Sequence, residues 1–182
     1  RNADVLIAGD MVTDAAGSGY AEASSIWSTS TGTIYALSRD SANLLYKNAG
    51  LSNLIRSYDG TTAANSAVGV SYQNSPAGFA ATWGVNLTAY LRGDTAGAVS
   101  YDGTFGAGNL AIGHKTTYNT WDGTVREVKI FNTELTAAEV ADLSPAPVPP
   151  APAQFDWLGQ NTLVPTIGDT PTFTRATSAS FE

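Results

Sequence analysis

Cysteine is absent from this sequence. No disulfide can staple the fold and no thiolate can hold a metal, which fits assembly in a reducing cytosol. Histidine occurs once, at His114. A typical zinc site therefore has too few ligands, and a nucleophilic triad has a single base to draw on. His114 follows Ile112-Gly113 at an expected strand end, where a surface or hydrogen-bonded loop histidine is the ordinary reading. Positive charge is scarce: nine basic residues stand against sixteen acidic ones, a formal net charge of −7 with no Lys or Arg run. Neutralising phosphates requires clustered cations, so nucleic acid is excluded as a partner and anionic membrane is disfavoured. No apolar stretch approaches the ~20 residues that cross a bilayer. No signal peptide is expected, and a chain beginning on Arg1 reads as an excerpt or a processed product.

What is present is small and turn-rich. Charged residues make up only 14% of the 182, while Gly, Ala, Ser and Thr abound; the length suits one domain with an appendage. Gly, Asn, Asp and Ser clusters recur every eight to twelve residues, the spacing of an all-β sandwich or barrel. Between them lie strand candidates at Asp4–Ala8, Thr33–Ser38, Asn43–Lys47, Leu54–Tyr58, Ala67–Tyr72, Gly78–Trp83, Asn86–Leu91, Gly97–Tyr101, Asn109–Gly113 and Gly123–Asn132. Thr33–Leu37 and Ala67–Tyr72 alternate with period two, so one face packs inward. In Gly123–Asn132, Val128 and Ile130 share one face and Val125 and Phe131 the other. A bulge near Arg126–Glu127 returns Val125 to register; a strand covered on both sides is the alternative.

One short helix is expected over Thr136–Leu143. Thr136 and Glu139 have the spacing of a capping box, Leu135 and Val140 that of a hydrophobic staple, and Pro145 follows. Residues 1–143 then form the sandwich. Residues 144–154 form a linker, with five prolines in Ser144–Ala153 that favour extended polyproline II. Residues 155–182 carry Phe155, Trp157, Leu158, Phe173 and Phe181 but too few residues for a core. Such a tail is expected to dock, in cis or in trans, by adding a strand to a sheet edge.

Gly123–Leu143 resembles the closing strand and helix of laminin-G-like, concanavalin A-like jelly rolls: a glycine, an amphipathic strand, an Asn, a Leu-Thr pair and an acidic-capped helix. Ala111-Ile112-Gly113 resembles the strand before it. Arg1–Val5 with Gly32–Tyr35 is similar to the opening of such sandwiches in bacteriophage tail-fibre, adhesin and head-decoration proteins. Phe173–Phe181 resembles a stretch usually found upstream of the same sandwich; here it lies downstream. The resemblance implies an antiparallel jelly-roll sandwich in a non-catalytic virion structural protein. Its partners would be other virion subunits, in a homo-oligomer, and its location the extracellular particle, assembled in the host cytoplasm. The alternative it implies is a carbohydrate-binding adhesin recognising a host surface glycan.

Glycoside hydrolases of this fold place carboxylates at alternate positions of one strand, as paired acid–base chemistry requires. No Glu-x-Asp-x-x-Glu run exists here, and Glu127, Glu134 and Glu139 fall in a strand, a turn and a helix cap. The expectation is therefore no enzyme, no catalytic residues and no cofactor, with calcium alone left open. Asp10, Asp14, Asp94, Asp102 and Asp122 are loop carboxylates, but their spacing matches no calcium loop, and Asp is also ordinary turn chemistry; no metal site is assigned. Arg92-Gly93-Asp94 spells an integrin-binding tripeptide but is read as a turn. Asn86-Leu87-Thr88 is a glycosylation acceptor only in a eukaryotic secretory route. Sugar binding needs an aromatic platform flanked by polar groups, and Tyr118, Asn119, Trp121 and Asp122 are the candidate set. Rim packing is the competing reading of Trp121, and Trp27 and Trp83 are weaker candidates, since neighbouring Ile26 and Phe79–Ala81 suggest core.

Overall fold

The computed structural model describes residues 6–9, 11–25, 33–39, 42–48, 54–67, 75–102, 105, 108–115, 119–144, 155–157 and 161–163. The chain divides into two compact units, Arg1–Ala146 and Pro147–Glu182.

Among the described residues of the first unit, eleven strands run in chain order: β1 (Leu6–Ala8), β2 (Gly17–Ser25), β3 (Ile34–Arg39), β4 (Ala42–Lys47), β5 (Ile55–Tyr58), β6 (Ala63–Asn65), β7 (Ala77–Trp83), β8 (Asn86–Leu91), β9 (Val99–Ser100), β10 (Leu110–Ile112) and β11 (Gly123–Phe131). They form a six-stranded sheet in the order β1-β10-β3-β4-β5-β6 and a five-stranded sheet in the order β11-β2-β7-β8-β9. Every pairing is antiparallel. The architecture is thus the expected all-β sandwich with one short helix, α1 (Ala137–Leu143).

The two inner faces share one core. Leu37, Leu44, Ile55, Ala64 and Leu110 from the larger sheet meet Ala21, Phe79, Trp83, Leu87 and Leu91 from the smaller one. Alternation along each strand produces this, because successive side chains point to opposite faces. In β11 the register slips between Val125 and Glu127. That bulge brings Val125 round to pack with Val128 and Ile130 against the core, and of the two sequence alternatives it is the one realised.

Strand β2 was not anticipated. Gly17-Ser-Gly-Tyr-Ala-Glu-Ala-Ser-Ser25 has no β-branched residue and two glycines, so intrinsic propensity argues against a strand. Packing overrides propensity here: β2 lies between β11 and β7, and its small residues let larger neighbours approach. A Cβ on Gly17 would lie 2.4 Å from the Trp83 ring, and one on Gly19 would lie 3.2 Å from Leu44. The short β6 was likewise missed. Of Ala67–Tyr72, expected as a strand, Ala67 is outside regular structure and the rest lies outside the described residues.

The helix begins as its sequence dictates. Thr136 caps it, its hydroxyl accepting from the Glu139 N–H while the Glu139 carboxylate accepts from the Thr136 N–H. Val140 is fully buried in a second, smaller cluster with Tyr20, Ala80 and Tyr90, joined by Phe131, Leu135 and Leu143. The helix therefore covers the outer face of the five-stranded sheet. The Tyr20 hydroxyl donates to the Leu143 carbonyl at 2.9 Å, tying the helix C-terminus to the strand beneath it. The outer face of the six-stranded sheet has no such cover from α1.

In the second unit, β12 (Phe155–Trp157) and β13 (Asn161–Leu163) pair antiparallel, Phe155 opposite Leu163. These six residues are the described part of the expected tail. The prolines of the linker, and Leu158, Phe173 and Phe181, lie outside the described residues.

Candidate functional site

The loop from β10 to β11 was the expected sugar site, and the structure assigns its tryptophan to the fold. Trp121 is 7% exposed and belongs to the main core cluster. Its ring lies 5.4 Å from that of Phe79, and its Nε1 donates to the Ser24 carbonyl at 2.9 Å. Packed against Phe79 and tethered by its N–H, the ring presents little surface. Asn119 is exposed and adopts a left-handed backbone, φ 64. Asp122 is half-buried beside it. Tyr118 lies outside the described residues, as does Trp27. Trp83, read as core, is fully buried, with its Nε1 donating to the Thr13 carbonyl at 2.7 Å.

That loop nevertheless leads to a denser polar and aromatic row. Thr120 forms a bridge with Tyr35 of β3, and the Lys115 ammonium sits 5.5 Å above the Tyr35 ring. Tyr35 stacks on Tyr46 of β4, centroids 5.3 Å apart and planes 22° from parallel. Register carries the row onward: Tyr46 lies opposite Arg56 of β5, and Arg56 opposite Asn65 of β6. The alternate residues Ile55 and Ala64 belong to the core, so Tyr35, Tyr46, Arg56 and Asn65 project from the outer face of the six-stranded sheet. Tyr58, two residues along β5, shares that face. Tyr35 and Tyr46 are only 6% and 5% exposed, whereas Arg56, Tyr58, Asn65 and Lys115 are half-buried. Burial raises the Tyr35 pKa and lowers that of Lys115.

Within this row Arg56 Nε and Asn65 Oδ1 are buried atoms with no hydrogen-bond partner among the described residues. Tyr58 is fixed in place, its hydroxyl donating to the Gly60 carbonyl. The arrangement offers an aromatic ring, a guanidinium and an amide on three neighbouring positions. No single stretch of sequence contains it, which is why only the register reveals it.

The remaining expectations resolve as follows. His114 is buried rather than at the surface, its carbonyl accepting from the Ser38 hydroxyl at 2.7 Å. Arg92-Gly93-Asp94 forms the turn expected of it: Arg92 donates to the Pro76 carbonyl, Gly93 lies against Ala141, and Asp94 closes onto Leu91. Asp14 pairs with Arg39 at 3.3 Å. Asp102 donates its N–H to Asp59, which also accepts from the Thr61 and Thr62 N–H groups and the Thr62 hydroxyl. Among the described residues, no group of three or more His, Asp or Glu side chains could hold a metal; Asp10 lies outside them. Glu127 pairs with Lys129 and Glu22 with Arg126, while Glu139 is committed to the cap. A groove between residues 11–13 and β11 is lined by Met11, Val12, Thr13, Ile130 and Asn132. Its Thr13 hydroxyl and carbonyl are already engaged by Ala16 and Trp83.

No family model matches the sequence, and neither does any curated protein. Solved structures do. A Trypanosoma rangeli sialidase in complex with sialic acid superposes with a TM-score of 0.53 at 14% identity, covering 70% of this chain and 22% of that one. The same sialidase in complex with the inhibitor DANA gives 0.52 at 18% identity, covering 71% and 22%. A binding domain of Botulinum neurotoxin DC in complex with rat synaptotagmin II gives 0.48 at 11% identity, covering 71% and 35%. The chain spans about a fifth of the length of the sialidases it matches. At these identities the likeness establishes the β-sandwich fold. It also overturns the expectation of no enzyme: a sandwich of this shape occurs within sialidase chains, so the lack of a hydrolase carboxylate run does not set this chain apart from enzymes. Nothing in these likenesses bears on a virion origin.

Proposed function

We propose that this chain is a carbohydrate-binding jelly-roll module of the concanavalin A/laminin-G-like kind, presenting the outer face of its six-stranded sheet to a surface glycan. The observation that carries the reading is the cross-strand row of Tyr46, Arg56 and Asn65 with Tyr58 beside it. Aromatic faces take the apolar C–H side of a sugar, while amide and guanidinium groups take its hydroxyls. A ring already pinned, as Tyr58 is by Gly60, loses less entropy on binding than a free one. The sialidases of similar fold are themselves carbohydrate-directed proteins, which supports the same ligand class. The structural role on a virus particle draws on resemblance of sequence segments, and a glycan-binding face is compatible with display on one.

The test is a glycan array probed with the full chain. Binding to at least one glycan is expected, with about a tenfold loss on Tyr58→Ala. Binding to none, or binding that Tyr58→Ala leaves untouched while Asn119→Ala abolishes it, would return the site to the β10–β11 loop or remove it altogether.

A further inference from the structure

Among the described residues, the two sheets of the sandwich end on four strands. Three of them, β1, β6 and β9, are three residues or shorter. The β6 edge is also covered, Ser66 bridging to Thr95 and the Ala96 N–H donating to the Asn65 carbonyl. Strand β11 differs. It runs nine residues, pairs among the described residues with β2 alone, and has no fully buried position. Its inward side chains Val125, Val128 and Ile130 are only half-buried. Met11, 52% exposed, lines a groove with Ile130 along the same edge. An unpaired edge of this length is a template for another strand, and natural sheets blunt such edges with bulges and charge. Here the bulge lies between Val125 and Glu127, which leaves Glu127–Phe131 regular. Arg126 at the bulge is engaged by Glu22 at 3.0 Å. Beyond it the charges alternate in sign: Lys129 and Glu127 lie 2.9 Å apart, their side chains 38% and 43% exposed. Lys129 sits over Tyr20 of the outer cluster, so both charges stand on the outer face of the five-stranded sheet.

We propose that β11 pairs with β11 of a second copy of this chain, antiparallel about a twofold axis through Val128. That register sets Glu127 opposite the partner's Lys129, and Lys129 opposite the partner's Glu127, at the ~5 Å Cβ spacing of directly opposed residues. The four charges then alternate in sign around the axis. A slide of two residues one way sets Glu127 against the partner's Glu127, and the other way Lys129 against the partner's Lys129, so like charges meet. A slide of one residue turns the inward face outward. On the inner face Val128 meets the partner's Val128, which carries the apolar layer across the seam. An axis through a residue completes the antiparallel ladder in either hydrogen-bonding phase. The contact is isologous and closes at two subunits. The pairing stands without the glycan reading but adds to it. Its axis is perpendicular to the joined sheet, so the two six-stranded outer faces point the same way and suit two-point attachment to a glycosylated surface.

The experiment measures the subunit number of the full chain by sedimentation equilibrium at concentrations up to about 1 mM. Beside it run Glu127→Lys, Lys129→Glu, the two substitutions combined in one chain, and an equimolar mixture of the two single variants, each checked by its thermal midpoint. Two subunits are expected for the unsubstituted chain. Either single variant sets like charges opposite each other twice and is expected to raise the dissociation constant about tenfold. The combined variant and the mixture each restore opposite charges and with them the pairing, a recovery that a merely loosened fold would not show. Amide exchange of the unsubstituted chain, slowed within Glu127–Lys129 as concentration rises, reads the same contact without any substitution. A single subunit at every concentration overturns the proposal, as does exchange there that ignores concentration. A dimer that both single variants retain undiminished, or a mixture that associates no better than either variant alone, overturns it as well.

Discussion

Replacing Gly17 by alanine puts the packing of β2 to a direct test. A Cβ there would lie 2.4 and 2.8 Å from two atoms of the Trp83 ring and 2.9 Å from the Phe131 carbonyl oxygen. Neither neighbour yields easily. Trp83 is fully buried, held edge-on to Phe105 with centroids 5.1 Å apart and tied to Thr13 through Nε1. The Phe131 carbonyl belongs to the paired edge of β11, opposite Ser18. Forcing a methyl group into such a space costs about 1–3 kcal/mol, and displacing the indole far enough to break its bond to Thr13 adds about 1 kcal/mol. A total near 3 kcal/mol, at about 3 °C per kcal/mol for a domain of this size, lowers the melting temperature by roughly 9 °C. Two controls separate crowding from the general effect of the substitution. Gly19→Ala comes nearest to the far end of the Leu44 side chain at 3.2 Å, with Ile130 Cδ1 at 3.6 Å, and Gly9→Ala meets nothing within 4 Å. The expected order of destabilisation is Gly17→Ala, then Gly19→Ala within about 1 kcal/mol, then Gly9→Ala within about 0.5 kcal/mol. Urea unfolding followed by tryptophan fluorescence measures all three. Equal stability of Gly17→Ala and Gly9→Ala would mean that β2 does not pass beneath Trp83.

Thr136→Ala removes the hydroxyl half of the capping box, leaving the backbone N–H of residue 136 to Glu139, and is expected to cost about 1 kcal/mol, read as a shift in urea midpoint with unchanged slope; no shift would mean the helix contributes nothing to the cooperative unit. Burial first, and then nearby carboxylates, push Tyr20 and Tyr101 up to about 12 from an ordinary value of 10.0. The folded state thus holds these phenolic protons more tightly than the unfolded chain, so their contribution is intact below about pH 10 and is lost as pH rises through about 12. Absorbance at 295 nm should show part of the tyrosine signal titrating late and coinciding with alkaline unfolding; a single transition near 10 in the folded protein would refute this. Deleting residues 145–182 should leave the sandwich folded, because the described residues of its core clusters lie within 8–143; loss of the cooperative transition would refute this. The same truncation tests the expected docking of the tail: a drop in the number of subunits marks docking on a second copy, and an unchanged number leaves docking within one chain.

Legibility followed the reach of the forces involved. The helix was readable because its cap is local, Thr136 and Glu139 lying three residues apart. The bulge in β11 was readable because Val125, Val128 and Ile130 conflict in phase unless one residue is extra. Strand β2 was not, because its place depends on Trp83 and Leu44, which are distant in sequence and need a small neighbour. Trp121 looked like a platform because Asn119 and Asp122 flank it. What places its ring in the core is Phe79 and the Ser24 carbonyl, contacts across the sandwich. The row on the outer face was hidden for the same reason. Tyr46, Arg56 and Asn65 sit on three strands, and the register that aligns them slips between Asn43 and Tyr46, so no period in the sequence points to it.

The proposed glycan site lies on the outer face of the six-stranded sheet. A two-dimensional amide NMR titration of the full chain with D-galactose, D-glucose and D-mannose tests it most directly, because it reports where binding occurs. Saturable shifts clustered at Tyr46, Arg56, Tyr58 and Asn65 and sparing β7 and β8 are the predicted result. Shifts confined to the β10–β11 loop or to the groove beside Met11, or no saturable shift with any sugar, would contradict it.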